Sequence, residues 1–214
     1  MPQIRHEEFV LPGSQVYPEG ITEGAGNSFY VGSIDAGTIY RGDLDHGVAE
    51  VWLPGGPDQR TSVGGLHWDR HGRLVACGLA TGHVFVYDIG SGALIGRRTV
   101  PAEDAFLNDV FVVDGTAYLT DSSRPLVWEL PLGPDQVGEP AVFCDLSEPG
   151  LGSPSYLNGI VATADRSALL VSDQAQEALW RVDLDTAAAT AVELVDSQLC
   201  ADGLALLEPG LLIG

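Results

Sequence analysis

Apolar positions along this chain come in short bursts rather than at helical spacing. Runs of three to six residues rich in Val, Ile, Leu and aromatics are separated by Gly, Asp, Asn and Pro. That pattern predicts short strands joined by tight turns. No helical pattern separates the bursts, which excludes a helical bundle or a βαβ array. One motif recurs five times: a small or polar residue, then Gly or Asp, then an apolar strand. Its copies are Glu19-Gly20-Ile21, Gly64-Gly65-Leu66, Asn108-Asp109-Val110, Asn158-Gly159-Ile160 and Asp202-Gly203-Leu204. Successive copies are 45, 44, 50 and 44 residues apart.

A second apolar strand follows each copy at a near-constant offset, as in Phe29-Tyr30-Val31, Leu74-Val75-Ala76, Ala117-Tyr118-Leu119, Leu169-Leu170-Val171 and Leu211-Leu212-Ile213. A third strand carries one aromatic per unit: Tyr40, Phe85, Trp128 and Trp180. A weaker fourth strand closes each unit, for example Ala49 to Leu53 or Ala141 to Phe143. Four short strands repeated in this way are the signature of a propeller blade. The expected fold is therefore all-β, a propeller of four-stranded antiparallel blades. Its innermost strands should read as near-continuous apolar runs and its outer strands should alternate. Asp185 to Val195 is helix-like in composition, but its place in the repeat predicts a turn and a fourth strand. The aromatic column is expected to pack the blades.

The repeat accounts for about four and a half blades in a single domain over residues 1–214. Propellers close rings of about four to eight blades, since an open ring exposes strand edges. The expectation is a chain truncated at its C-terminus. The alternative is that Met1 to Val10 supplies a missing strand and closes a small ring.

Composition narrows the function. Against 30 acidic residues stand 10 Lys and Arg, a formal charge of −20. Such a surface repels nucleic-acid backbones and anionic membranes, so neither is an expected partner. Three scattered cysteines (Cys77, Cys144, Cys200) offer no CxxC pair and are expected to be buried small hydrophobes. The N-terminal stretch shows no apolar core of a signal peptide, and no apolar run is long enough to span a bilayer. A cytoplasmic location is expected.

The chemistry sits in the recurring motif. Residues just before each inner strand converge on one axial mouth of a propeller. Here they are Glu19, Gly64, Asn108, Asn158 and Asp202. One such residue would be ordinary turn chemistry. Oxygen-bearing side chains at the same register of four repeats point instead to a hard-ligand set. Crowded carboxylates need a cation or protons to coexist. One divalent cation is the expected cofactor, Ca²⁺ first, with Mg²⁺, Mn²⁺ or Zn²⁺ as alternatives. The absence of His and Cys from the set argues against a conventional zinc centre.

Together, Tyr17-Pro18-Glu19-Gly20, Phe106-Leu107-Asn108-Asp109, Leu157-Asn158-Gly159 and Ala201-Asp202-Gly203 resemble the regucalcin/gluconolactonase (senescence marker protein) family of six-bladed propellers. The resemblance runs from about residue 17 to the end and implies that blade six and part of blade five are absent. It implies Glu19, Asn158 and Asp202 as metal ligands. Asn108 would face the cation-bound water or the substrate, and Asp202 would relay a proton. The implied activity is metal-dependent hydrolysis of lactones or similar cyclic esters, with a small molecule as partner. The metal would polarise the carbonyl and activate water. The alternative is a non-catalytic calcium-binding propeller that binds a ligand or protein. Family members that act on sugar lactones often carry an Arg where this chain has Phe106, so an apolar wall and a less polar substrate are implied. Phe106, Asp109 and the inner-strand His67 complete the substrate-facing candidates.

Other constellations carry less. His67 and His71 fall on a strand and a turn and share no face. No serine-hydrolase elbow, P-loop or dinucleotide fingerprint occurs. Asp121-Ser122 and Ser172-Asp173 are expected to be strand-end turns, and Asp114-Gly115 and Ala164-Asp165 hairpin turns.

Overall fold

Most turns within a repeat are short, so each strand pairs with its predecessor and the repeat folds on itself. Asp114 and Gly115, both at positive φ (46° and 82°), form a two-residue connection that leaves Val113 facing Thr116. Such left-handed pairs match the twist of a hairpin. The structure is a computed structural model that describes residues 8–134, 136–147, 155–195, 199–208 and 210–214.

Four complete antiparallel sheets result, each ordered as the chain runs. The first contains β1 (Pro18–Glu23), β2 (Ser28–Ser33), β3 (Ile39–Asp43) and β4 (Val48–Leu53). The second contains β5 (Leu66–Trp68), β6 (Arg73–Cys77), β7 (His83–Asp88) and β8 (Leu94–Thr99). The third contains β9 (Leu107–Val113), β10 (Thr116–Asp121), β11 (Leu126–Pro131) and β12 (Ala141–Asp145). The fourth contains β13 (Leu157–Ala162), β14 (Ala168–Asp173), β15 (Ala178–Asp183) and β16 (Ala189–Ala191). A fifth unit contributes β17 (Ala205–Glu208) and β18 (Leu211–Ile213). This is the expected all-β propeller of four-stranded blades, present as four blades and a partial fifth. Asp185 to Val195 forms a turn and strand β16, as its place in the repeat requires. Of the ring-closing alternative, Met1 to Glu7 lie outside the described residues, and Glu8 to Val10 form no strand.

Inner strands β1, β5, β9, β13 and β17 touch one another in that order around the axis. The core lies between blades, not within one. Val75, Val84 and Val86 of the second blade mesh with Val110, Leu119 and Trp128 of the third. Leu169, Val171 and Trp180 of the fourth pack on Val113, Tyr118 and Val127 of the third. The aromatic column Tyr40, Phe85, Trp128 and Trp180 is buried throughout, as blade packing demands.

Two expectations need correction. Continuous burial is not particular to the innermost strand: every residue of β2 and of the innermost β13 is buried, as is nearly all of β10 and β14, whereas the innermost β1 is largely exposed. A central strand has a partner on both edges and a blade on each face. The first strand lies at the channel, and Ile21 of β1 is 68% exposed. Cys77 and Cys144 are buried, but Cys200 is exposed in the loop before β17. Among the described residues no helix is long and apolar enough to cross a membrane.

Candidate functional site at the axial mouth

The recurring motif is where the hairpin register slips. Pairing of β1 with β2 shifts between Pro18 and Ile21, and that of β13 with β14 shifts between Leu157 and Ile160. In the third blade the same slip sets Asn108 and Asp109 of β9 opposite the single Thr120 of β10, between the pairs Leu107–Asp121 and Val110–Leu119. A bulge breaks the two-residue alternation and re-aims a side chain. It thereby frees Glu19, Asn108 and Asn158 from the packed faces of their sheets.

The second motif position is set by crowding between inner strands. A Cβ on Gly65 would lie 2.1 Å from Asp109 Oδ1, and one on Gly159 would lie 2.7 Å from the Gly203 carbonyl carbon. Only glycine fits there. The third blade carries Asp109 instead, and its carboxylate becomes a link between blades. Oδ1 accepts from the Val110 N–H (2.8 Å), and Oδ2 accepts from the Ile160 N–H of the fourth blade (3.2 Å).

Glu19, Asn108, Asp109, Asn158 and Asp202 line one cavity of about 300 Å³, together with glycines and apolar side chains. The structure thus brings together Glu19, Asn158 and Asp202, the three residues the resemblance implies as ligands, with Asn108 and Asp109 beside them. Asn158 Nδ2 donates to Asp202 Oδ1 at 2.7 Å. Asn108 Nδ2 donates to Ser122 Oγ (2.9 Å), which donates to the Leu157 carbonyl (2.6 Å). Both amides are 4% exposed.

Among the described residues no Lys or Arg lines this cavity. Loss of water around the Glu19 carboxylate, then repulsion from Asp109 and Asp202, push its pKa up to about 7. Burial raises Asp109 to about 6 against its two backbone hydrogen bonds, and Asp202 adds to the rise. These carboxylates and amides form a hard-oxygen donor set, which suits Ca²⁺ or Mg²⁺. Among the described residues no three His, Cys, Asp or Glu side chains gather closely enough to hold a metal alone. An ion here would need the amide oxygen of Asn158.

Two candidates lie elsewhere. His67 borders a second cavity of about 570 Å³, below Asp109 along the channel. Its ring sits 4.2 Å from that of Phe111, and burial drops its pKa to about 4. Phe106 lines a separate cleft on the mouth face.

The sequence reading missed the two buried aspartates behind the mouth. Asp121 and Asp173 end β10 and β14 as expected, yet they are at most 1% exposed. Asp121 accepts from the Phe106 and Ser123 N–H groups and from Trp128 Nε1. Asp173 accepts from the Tyr156 N–H and Ser155 Oγ. They hold the segments that lead into the strands carrying Asn108 and Asn158. Their common register at the ends of second strands was a signal available in the sequence.

No family model matches the chain, and no curated protein matches it. Solved structures do, at the level of fold. A streptogramin B lyase is similar with a TM-score of 0.71 at 17% identity, over 88% of this chain and 58% of its own. Virginiamycin B lyase from Staphylococcus aureus is similar with a TM-score of 0.69 at 17% identity, over 86% and 57%. The Cps50 (Swd1) β-propeller domain from Myceliophteria thermophila is similar with a TM-score of 0.68 at 15% identity, over 92% and 60%. The chain thus spans less than two thirds of each. Enzymes and a propeller domain share the fold, so the fold leaves both kinds of function open.

Proposed function

We propose that the mouth is the active site of a divalent-cation-dependent hydrolase of lactones or similar cyclic esters, related to the regucalcin/gluconolactonase family. The observation that carries the reading is the convergence of Glu19, Asp109 and Asp202 with two buried amides on one cavity that, among the described residues, has no basic side chain. Glu19, Asn158 and Asp202 would hold the cation, Ca²⁺ first. When bound it would supply carbonyl polarisation and an activated water.

The chain's own residues do the rest. Asn108, fixed by Ser122, is placed to donate a hydrogen bond to the ester carbonyl oxygen as charge builds there. Asn158 and Gln174 both donate to Oδ1 of Asp202, which leaves Oδ2 to take a proton from the attacking water. The same proton then passes to the ring oxygen as the C–O bond breaks, and the product is a hydroxy acid. The inner strands keep the geometry, because Thr120 Oγ1 donates to the Asn158 carbonyl (2.7 Å) and Gly65 N–H to the Asn108 carbonyl (2.7 Å).

The other reading is a cation-stiffened propeller that binds a ligand or protein without turnover. Asn108→Ala separates the two. Followed by pH-stat on δ-valerolactone with Ca²⁺, the variant should lose at least about tenfold in rate. Its melting point and its response to cation should stay near wild type. A wild type stabilised by cation that opens no lactone at all would refute the hydrolase and leave the binding module.

A further inference from the structure

Three aromatic residues occupy one register of the repeat. Tyr17, Phe106 and Tyr156 each stand two positions before a mouth residue, Glu19, Asn108 and Asn158. Each is fixed by the same backbone bond: the Tyr17, Phe106 and Tyr156 carbonyls accept from Ile34, Ser122 and Gln174 N–H groups at 3.2, 2.8 and 3.0 Å. In the third and fourth blades a buried aspartate also takes the aromatic residue's N–H. Yet Tyr17 and Tyr156 are 51% and 39% exposed, although large apolar surface usually goes inside. The protein holds rings at this rim by their backbones and leaves their faces available.

Between Tyr17 and Phe106 runs a cleft of about 740 Å³, floored by Leu79 and Ala80 of the second blade. Its floor and one wall are strained. Tyr17 and Leu79 both have positive φ (43° and 50°), a region that bulky side chains avoid. Leu79 is nonetheless locked, since its carbonyl accepts from the Gly82 and Leu107 N–H groups at 3.0 and 3.2 Å. Among the described residues Asp35 is the one charged side chain on the lining, in a chain of net charge −20.

We infer that this cleft seats a flat aromatic group of the substrate while the ester ring lies at the neighbouring carboxylate–amide cavity. The substrate class is then an aryl-bearing cyclic ester. This rests on the hydrolase reading for the ring's chemistry but not for the binding itself. Rings held rigidly at a rim recognise a flat partner at low entropic cost.

The test is equilibrium dialysis in EDTA, where turnover does not enter, of two lactones with the same six-membered ester ring. Dihydrocoumarin carries a fused benzene ring and δ-valerolactone does not. Wild type should bind dihydrocoumarin about tenfold more tightly. Phe106→Ala should reduce that preference to about twofold or less, and Phe106→Leu, which keeps apolar bulk without a ring, should fall between. Tyr17→Ala provides the same reading if Phe106→Ala does not fold. Equal binding of the two lactones, no binding of either, or an undiminished preference in the variants overturns the inference. A preference with no cation response would sink the hydrolase and spare the cleft, and the reverse pattern would do the opposite.

Discussion

Asp109→Asn tests whether the carboxylates at the mouth are held at an energetic cost. Burial raises the Asp109 carboxyl from 3.8 to about 6 even though two backbone N–H groups bond to it. Between those values the folded protein keeps a proton that the unfolded chain has released. The unfolded state therefore binds fewer protons, and stability falls as pH rises through that window. The rise corresponds to about 3 kcal/mol, and cavity water trims it to about 2. Asparagine removes this titration, but its NH₂ cannot accept a hydrogen bond, whereas the hydroxyl oxygen of the protonated carboxyl still can. One N–H, of Val110 or Ile160, then faces an amide NH₂, at a cost of about 1–2 kcal/mol. At pH 4 the variant should be less stable than wild type by about that amount. At pH 7.5 it should be equal or more stable by about 1 kcal/mol, with relief of Glu19 adding in the same direction. Urea melts followed by tryptophan fluorescence in EDTA give both differences, and titrations common to both proteins cancel. A variant-minus-wild-type difference that stays within about 0.5 kcal/mol from pH 4 to 7.5 refutes the reasoning.

Two further substitutions probe the scaffold. Gly65→Ala puts a Cβ 2.6 Å from the Asp109 Cα, a clash that backbone must relieve. It should cost about 3 kcal/mol and lower the melting point by roughly 10 °C, whereas a change under about 2 °C would contradict the close approach of β5 and β9. Arg60 is 1% exposed; it donates to the Gly37 and Pro54 carbonyls at 2.6 and 2.8 Å and to Tyr87 Oη, beside the Tyr87 ring. Arg60→Met strands those acceptors between the first two blades and should cost about 3 kcal/mol in a urea melt with an unchanged slope.

Much of the fold could be read from the chain because the repeat imposes it. Asn108-Asp109 and Asn158-Gly159 recur at blade spacing, and the structure places them at the same point of their blades. The helix-like composition of Asp185 to Val195 yielded to that same register. What stayed hidden depends on contacts between residues far apart in the chain. Nothing local distinguishes Asp121 and Asp173 from turn residues until the segments they hold, at Phe106 and at Ser155 and Tyr156, are seen to lead into the strands that carry Asn108 and Asn158. Arg60 reads as a surface charge until the carbonyls around it are in place. His67 could be placed on an inner strand, but not at which depth of the channel. Cys200 differs from Cys77 only in its surroundings: one lies in an exposed loop, the other at the end of a buried central strand.

The central claim is that Glu19, Asn158 and Asp202 hold a divalent cation over the channel, and a thermal melt tests it most directly. Wild type and Glu19→Gln are melted in EDTA and then with Ca²⁺, Mg²⁺, Mn²⁺ or Zn²⁺. A cation that binds only the folded state stabilises it by about 2.7 kcal/mol at a hundredfold excess over Kd, a rise of roughly 5–10 °C for a chain of this size. The account predicts that rise in wild type with at least one cation, Ca²⁺ foremost, and its loss in Glu19→Gln. No shift with any cation, or an equal shift in both proteins, would contradict it.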